Sequence, residues 1–369
     1  MRNAHKAEPV PALPPDYMDA AAAVAPAIYA SAAAVDAAAV FPSDAVAALC
    51  ENGLLVAPLA GFASTALLRE TLTMIGSASL TVGRIYEGHV NAAHLIRQYG
   101  GAAAMRILTT EVALGRPSGV WNAERGAGVM ARRCAGGWML HGQKIHCSGA
   151  GSIMRPIVTA RNEGDNAPLM LLPDLSDGGV VVDLSVWQAA GMRGTATGTV
   201  TFDKVFVPDA AVVGGPGDYY RSPLFSGGAW RVLAVQLGGL DRIMALHAES
   251  LNSSGRSSDG VVRARFADAA AAHELARLSA TEAARRAEDS GCDPAAIDAY
   301  LDLARVGFET LAFGIIEATR RNVGLSSFIA PSPLDRCLRD LETYLRQPFL
   351  DASRDSAAAW LLRTGGRFA

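Results

Sequence analysis

The hydrophobic period of this chain changes twice, and those changes limit its folds more than any other feature. Up to about Leu114 the apolar residues recur at helical spacing. After Gly115 they fall into short strand-like runs at Val129 to Arg132, Trp138 to His141, Ile157 to Ala160, Leu169 to Leu172, Val180 to Leu184 and Thr199 to Val207. Turn-forming clusters separate them: Gly136-Gly137, Asn162-Glu163-Gly164-Asp165 and Ser176-Asp177-Gly178-Gly179. Gly and Asn/Asp supply the backbone conformations that tight turns need, so these runs predict a β-barrel or sandwich of roughly a hundred residues. Pro208 and Gly214-Gly215-Pro216-Gly217 mark its exit. From Gly228 the helical period returns, with Trp230, Leu233, Leu237, Leu240 and Met244 on one face.

Residues 1–16 read as a flexible arm, because Pro9, Pro11, Pro14 and Pro15 exclude regular structure. Residues 17–117 read as a helical domain. Ala20 to Ala39 favours helix by alanine propensity, with Pro26 as a start or kink. Ser43 or Asp44 is placed to cap the next helix and Asn52-Gly53 to end it. Leu67 to Ile75, His89 to Tyr99 and Ala103 to Leu114 follow, and Val90, Ala93, His94 and Ile96 share one helical spacing. Residues 118–217 form the β-domain. Residues 218–369 carry four amphipathic segments, Trp230 to Met244, Arg265 to Glu288, Pro294 to Asn322 and Leu334 to Arg346, which read as a four-helix bundle. The fold class is therefore α+β and multidomain, as 369 residues would suggest.

Composition narrows the function classes. The net charge is −3, and there is no Lys/Arg block, so nucleic acid is excluded as a partner. The five cysteines show no CxxC or metal-type spacing and suit reduced thiols. The N-terminus lacks the apolar core of a secretion signal, and Asp36, Pro26 and the weight of alanine argue against a membrane span in Ala20 to Val40. The expectation is a soluble cytoplasmic protein.

Five landmarks, in order, carry a resemblance. They are Ala123-Glu124-Arg125-Gly126-Ala127-Gly128; Trp138-Met139-Leu140-His141-Gly142-Gln143-Lys144; Ile145 to Gly149; Gly191-Met192-Arg193-Gly194-Thr195-Ala196-Thr197-Gly198 running on to Pro208; and Arg336-Cys337-Leu338-Arg339-Asp340. Across about residues 17–364 the chain resembles the acyl-CoA dehydrogenase superfamily through its TEPGAGS, YxLNGxK, WITN (or SG/TG), GxRGSxTG and RxxRD segments. The resemblance implies FAD between the β-domain and the bundle, its adenine side reaching a second subunit of a homodimer or homotetramer. It also implies an acyl-CoA thioester as a small-molecule substrate and an electron-transfer partner.

The cofactor residues that follow from it are Trp121, Asn122, Ala123, His146, Ser148, Gly149, Arg256 and Arg321. A Ser148 hydroxyl can bond a flavin edge, and Gly149 permits close backbone approach. Asn122 and the backbone around Ala123 can meet the pyrimidine edge, although the family usually has Thr where Ala123 stands. Trp121 reads equally as a core residue. His146 stands in place of the family's shielding Trp; it can stack, titrate near neutrality, or be an ordinary hydrogen-bonded histidine. Cys147 alternates inward as core. Arg256 in SSGRSSDG fits the family's pyrophosphate arginine loosely, and Arg321 lies where QxxGG touches a neighbouring subunit's cofactor.

The departures concern chemistry. Dehydrogenation needs a carboxylate to remove the proton α to the thioester. The residue eight beyond Asp340 is Pro348, and the alternative location holds Trp230, ahead of Arg231. Neither accepts a proton, which leaves Asp351 or Glu342 as substitutes. Val129 replaces the family's substrate-contacting Ser. Arg231, at the mouth of the expected pocket, is the candidate for binding an anionic substrate or an oxyanion, or for pairing with an acid at a helix start. The expectation is an FAD-dependent oxidoreductase of acyl-CoA dehydrogenase type, acting on a CH-CH group. Its rivals are a flavin monooxygenase of the same fold and a flavin-less binding or structural subunit.

Overall fold

The structure, a computed structural model, describes residues 16–163, 167–289, 291–346 and 349–368. The expected arm, residues 1–15 of it, and Pro348 lie outside the described residues.

Helix α1 (Tyr17–Ala38) begins where the Asp16 carboxylate accepts the amides of Met18 and Asp19 at 2.7 and 3.2 Å, the usual N-cap solution for orphan amides. Pro26 neither starts nor breaks it; the ring sits on the exposed face, where water can satisfy the freed carbonyl. The helix is long and apolar enough to cross a membrane by length and composition. In this fold Val24, Ile28 and Ala32 enter the core, and Asp36 pairs with Arg339 at 2.7 Å. Helix α2 (Ser43–Glu51) follows Pro42. Neither Ser43 nor Asp44 caps it, because both lie inside the first turn, where their side chains cannot reach back to the first amides. After α3 (Ala57–Ala60), α4 (Thr65–Ala78) and α5 (Leu80–Tyr99) are capped by Ser64 and Ser79, and α6 (Ala102–Ala113) ends this layer.

The strands are β1 (Val120–Trp121), β2 (Val129–Cys134), β3 (Gly137–Cys147), β4 (Ile157–Asn162), β5 (Pro168–Leu171), β6 (Val180–Asp183), β7 (Gly198–Pro208) and β8 (Val212–Val213). They make one sheet in the order β6-β7-β3-β2-β4-β5-β8. β1 and β2 both lie parallel to β4, at Ile157–Val158 and Arg161–Asn162 respectively. The chain therefore leaves the β4 edge at Asn122 and rejoins it near Val129, throwing residues 122–128 out of the sheet. A second irregularity lies in β3, whose pairing with β7 shifts between Lys144 and Cys147. Such a bulge re-aims side chains, and His146 there has φ +54°.

The bundle holds the four expected helices as α8 (Ala229–Ser253), α9 (Gly260–Ala287), α10 (Pro294–Val323) and α11 (Pro333–Tyr344), after the short α7 (Leu224–Gly227). A fifth, α12 (Leu350–Thr364), packs on α10 and was not expected. One apolar cluster runs from Val24 and Leu72 through Trp230, Leu237 and Phe308 into Val129 and Phe202 of the sheet, so the three layers share a core.

Candidate active site

A cleft of about 1300 Å³ opens where the sheet, α5, α8, α10 and the segment after α11 converge. That exceeds the usual range for a single drug-sized ligand and leaves room for a cofactor and a substrate together.

The sheet wall is built from the two irregularities. Asn122, Ala123 and Glu124 line it from the excursion between β1 and β2; Ile145, His146 and Ser148 line it from the bulged end of β3. The two segments are joined by the Ile145 amide donating to the Ala123 carbonyl at 3.0 Å. Among the described residues the backbone amides of Ala123 and Glu124 meet no hydrogen-bond acceptor. Behind the wall the buried Lys144 ammonium donates to the Asn122 carbonyl, Glu124 and Thr159 at 3.0, 2.9 and 3.0 Å. Burial pulls this ammonium below the ordinary lysine range, and Glu124 counteracts that. The Asn122 side-chain oxygen accepts from Thr159 and from Tyr220 at 2.7 and 3.0 Å.

Ser148 lies one residue past β3. Its hydroxyl accepts from Thr197 at 3.5 Å, and Thr197 meets Thr195 at 2.7 Å, so three hydroxyls run along the wall. Thr195 and Thr197 belong to a loop that the closing motif holds in place. Arg339 donates to the Ala190 carbonyl at 2.8 Å, and Asp340 accepts the Met192 amide at 2.5 Å. A Cβ on Gly191 would meet the Arg339 carbonyl at 2.0 Å, so only glycine lets the two segments touch.

The opposite wall is α5. Between Leu80 and Ile96 only Arg84, Asn91 and His94 keep solvent exposure, and all three line the cleft. Arg84 and Asn91 both donate to the buried Glu87 carboxylate. The Asn91 oxygen accepts from Arg231 at 2.9 Å, and Arg231 reaches Glu288 at 3.3 Å. Burial lowers the Arg231 guanidinium, and Glu288 raises it. Tyr219, Tyr220 and Phe225 form an edge-to-face aromatic cluster at the cleft, with ring centroids 4.9–5.4 Å apart.

Among the described residues the carboxylates that line the cleft are Glu124, Asp302 and Glu309. Glu124 is held by Lys144 at 2.9 Å and Arg161 at 3.4 Å, and Asp302 by Arg305 at 3.6 Å and the Ser353 hydroxyl at 2.6 Å. Glu309 takes both Arg346 and Arg354 at 2.9 Å. The two substitutes considered for the missing base do not serve. Glu342 is paired with Arg320 at 2.5 Å and Asp351 is 97% exposed beside Arg354; neither lines the cleft.

Of the cofactor residues expected from sequence, the fold brings Asn122, Ala123, His146 and Ser148 to the cleft, with Arg231 facing them. Trp121 and Gly149 stand behind that wall. The buried Trp121 indole donates to the Ser148 carbonyl at 3.1 Å. Gly149 has φ +73°, its amide bonds Thr195 at 2.8 Å, and a Cβ there would strike Ile153 at 2.7 Å. Arg256 and Arg321 lie outside the cleft: Arg256 donates to the Asn322 carbonyl, and Arg321 pairs with Glu317 at 2.5 Å. Sequence reasoning missed Arg84, Asn91 and His94, having read His94 with the apolar positions. The signal was available: Arg84, Glu87, Asn91 and His94 repeat at 3, 4, 3 through an otherwise buried helix.

This architecture is the acyl-CoA dehydrogenase-like fold. No family model matches the sequence, and no curated protein matches it. Solved structures do. The dibenzothiophene monooxygenase TdsC from Paenibacillus sp. A11-2, with FMN bound, superposes with a TM-score of 0.84 at 21% identity over 96% of this chain and 98% of that one. KijD3, in complex with FMN and dTDP-3-amino-2,3,6-trideoxy-4-keto-3-methyl-D-glucose, gives 0.83 at 23% identity over 95% and 93%. The nitrososynthase from Micromonospora carbonacea var. africana gives 0.79 at 21% identity over 95% of each chain.

Proposed function

We propose that this chain is a flavin-dependent monooxygenase acting on a small molecule. The observation that carries the reading is the state of the cleft's carboxylates: Glu124, Asp302 and Glu309 are each ion-paired. Abstraction of an α-proton needs a carboxylate free to accept it, and oxygen transfer does not. The sheet wall fits a flavin. The free amides of Ala123 and Glu124 offer donors to the acceptor edge of a planar heterocycle, and the hydroxyls of Ser148, Thr197 and Thr195 offer adaptable partners beside it. When bound and reduced, a flavin supplies the two electrons that dioxygen needs to deliver one oxygen atom to a substrate. The chain's own part is to hold the ring on the sheet wall, to place the substrate against α5, and to flank it with the rings of Tyr219, Tyr220 and Phe225. The FMN in the complexes of TdsC and KijD3 supports the cofactor class. A homodimer or homotetramer, and a reductase partner to deliver reduced flavin, complete the reading.

The test is a comparison of two reactions on flavin-loaded protein. Oxygen-dependent conversion of members of a small aromatic panel, with isotope label carried from dioxygen into product, is expected. Anaerobic bleaching of the oxidised flavin by acyl-CoA, without such conversion, would overturn the reading and restore the CH-CH dehydrogenase. Protein that takes up neither FMN nor FAD would leave only the flavin-less subunit.

A further inference from the structure

The three histidines of α5 and α8, His89, His94 and His247, are treated differently by their surroundings. The Nε2 of His89 donates to the Leu55 carbonyl at 2.8 Å, and its Nδ1 accepts the Ser118 amide at 3.0 Å. His247 is satisfied by Thr319 and Asn322 at 3.1 and 3.2 Å. His94, one turn beyond Asn91 on α5, lines the cleft, and among the described residues neither of its ring nitrogens meets a hydrogen-bond partner. A polar ring that the fold leaves open to a cavity, while closing its neighbours, is free to serve a ligand.

Charge selects the ligand. Burial, then the positive charges of Arg231 and Arg97, hold the His94 imidazole down to about 3, so it is neutral at every working pH. The charges that act on it are the positive ones of Arg97 and Arg231, and Arg231 is shared with Glu288 at 3.3 Å, so the balance beside the ring is positive. A neutral imidazole in a net positive field is a hydrogen-bond donor suited to an acceptor that carries negative charge. The same logic operates where a helix terminus keeps a histidine neutral so that it can polarise a carbonyl. The aromatic cluster of Tyr219, Tyr220 and Phe225 supplies an apolar body for the rest of the molecule.

We infer that His94, backed by Arg231, binds an acidic oxygen of the substrate, and that the substrate class is a small aromatic acid, carrying a carboxylate or a phenolate. This deepens the monooxygenase reading and rests on it for the word substrate, but the binding itself needs no turnover. His94 is thus a specificity-determining residue.

The experiment is calorimetric titration of the flavin-loaded protein with benzoate, 4-nitrophenolate, and the size-matched neutral compounds benzamide and nitrobenzene. Flavin uptake is measured separately by absorbance. The expected result is at least tenfold tighter binding of one anion than of its neutral counterpart, and whichever anion leads identifies the acidic group. His94→Phe should remove that preference while leaving flavin affinity and thermal midpoint unchanged, and His94→Gln, which keeps a donor, should retain most of it. Equal binding of anionic and neutral ligands, or an equal loss of both in His94→Phe, would overturn the proposal. Should the protein take up no flavin, the same titration is run on it as purified. Anion preference there would sink the flavin reading while sustaining the His94 site, so the two failures are distinguishable.

Discussion

The Met192 amide donates to the Asp340 carboxylate at 2.5 Å, across 148 residues of sequence, and ties the loop of the sheet wall to the closing motif of the bundle. Burial pushes the Asp340 carboxyl up to about 6, against the opposing pull of that amide bond. An acid whose folded value is raised contributes stability that is complete below its unfolded value and is lost as pH rises through about 6. Asp340→Asn keeps an acceptor without the charge, so at pH 8 it should be at least as stable as the parent. Asp340→Ala leaves the amide unpaired and should lose about 1–3 kcal/mol. Denaturant unfolding of both variants checks this, and equal losses would refute it.

Acid should weaken the fold through its neutral histidines. Burial holds His89 and His247 down to about 4. The unfolded chain takes up protons near 6.5 while these two refuse them, so their contribution to stability falls as pH drops from about 6.5 to 4 and levels off below. For the fully buried His89 the loss is roughly 3 kcal/mol. His89→Gln should cut the number of protons taken up on unfolding in that window by about one. An unchanged slope of unfolding free energy against pH would count against the assignment.

Much of the frame was legible because its signals are local. Alternating runs between turn clusters located the main strands, and motif order placed Asn122, Ala123 and Ser148 on one wall. Helix α12 was not legible: it starts after Phe349 in the left-handed region, with no capping side chain, and leaves Leu362 exposed, so neither cap nor apolar face announces it. His94 was misplaced for the opposite reason. In a helix buried on nearly every side the informative positions are the polar ones, and an amphipathic reading looks for the apolar ones. Trp121 read equally well as cofactor contact or core; its indole supports Ser148 from behind.

The hydroxyl row should matter for cofactor retention. Ser148→Val removes the hydroxyl that lines the cleft, and Thr197→Val removes its donor at 3.5 Å. Each should weaken flavin binding about tenfold, the effect of roughly one hydrogen bond. Equilibrium dialysis of flavin against the parent and both variants measures it. Unchanged affinity in Ser148→Val would take that residue out of the site.

The identity of the flavin turns on Arg256 and Arg321. On the proposed reading the cleft walls of one chain serve the ring end of the cofactor, while these two arginines lie elsewhere, engaged by Asn322 and Glu317. FAD exceeds FMN only by an adenylate half, so a chain with no grip on that half should bind the two alike, within about threefold, or less than 1 kcal/mol. Arg256→Ala and Arg321→Ala should then leave both affinities unchanged. Should FAD bind at least tenfold tighter than FMN, and either substitution abolish the difference, the arginines would recover the pyrophosphate role that the family resemblance implies, reached through a second copy of the chain. Fluorescence titration with the two flavins, at protein concentrations above and below any self-association, separates these outcomes.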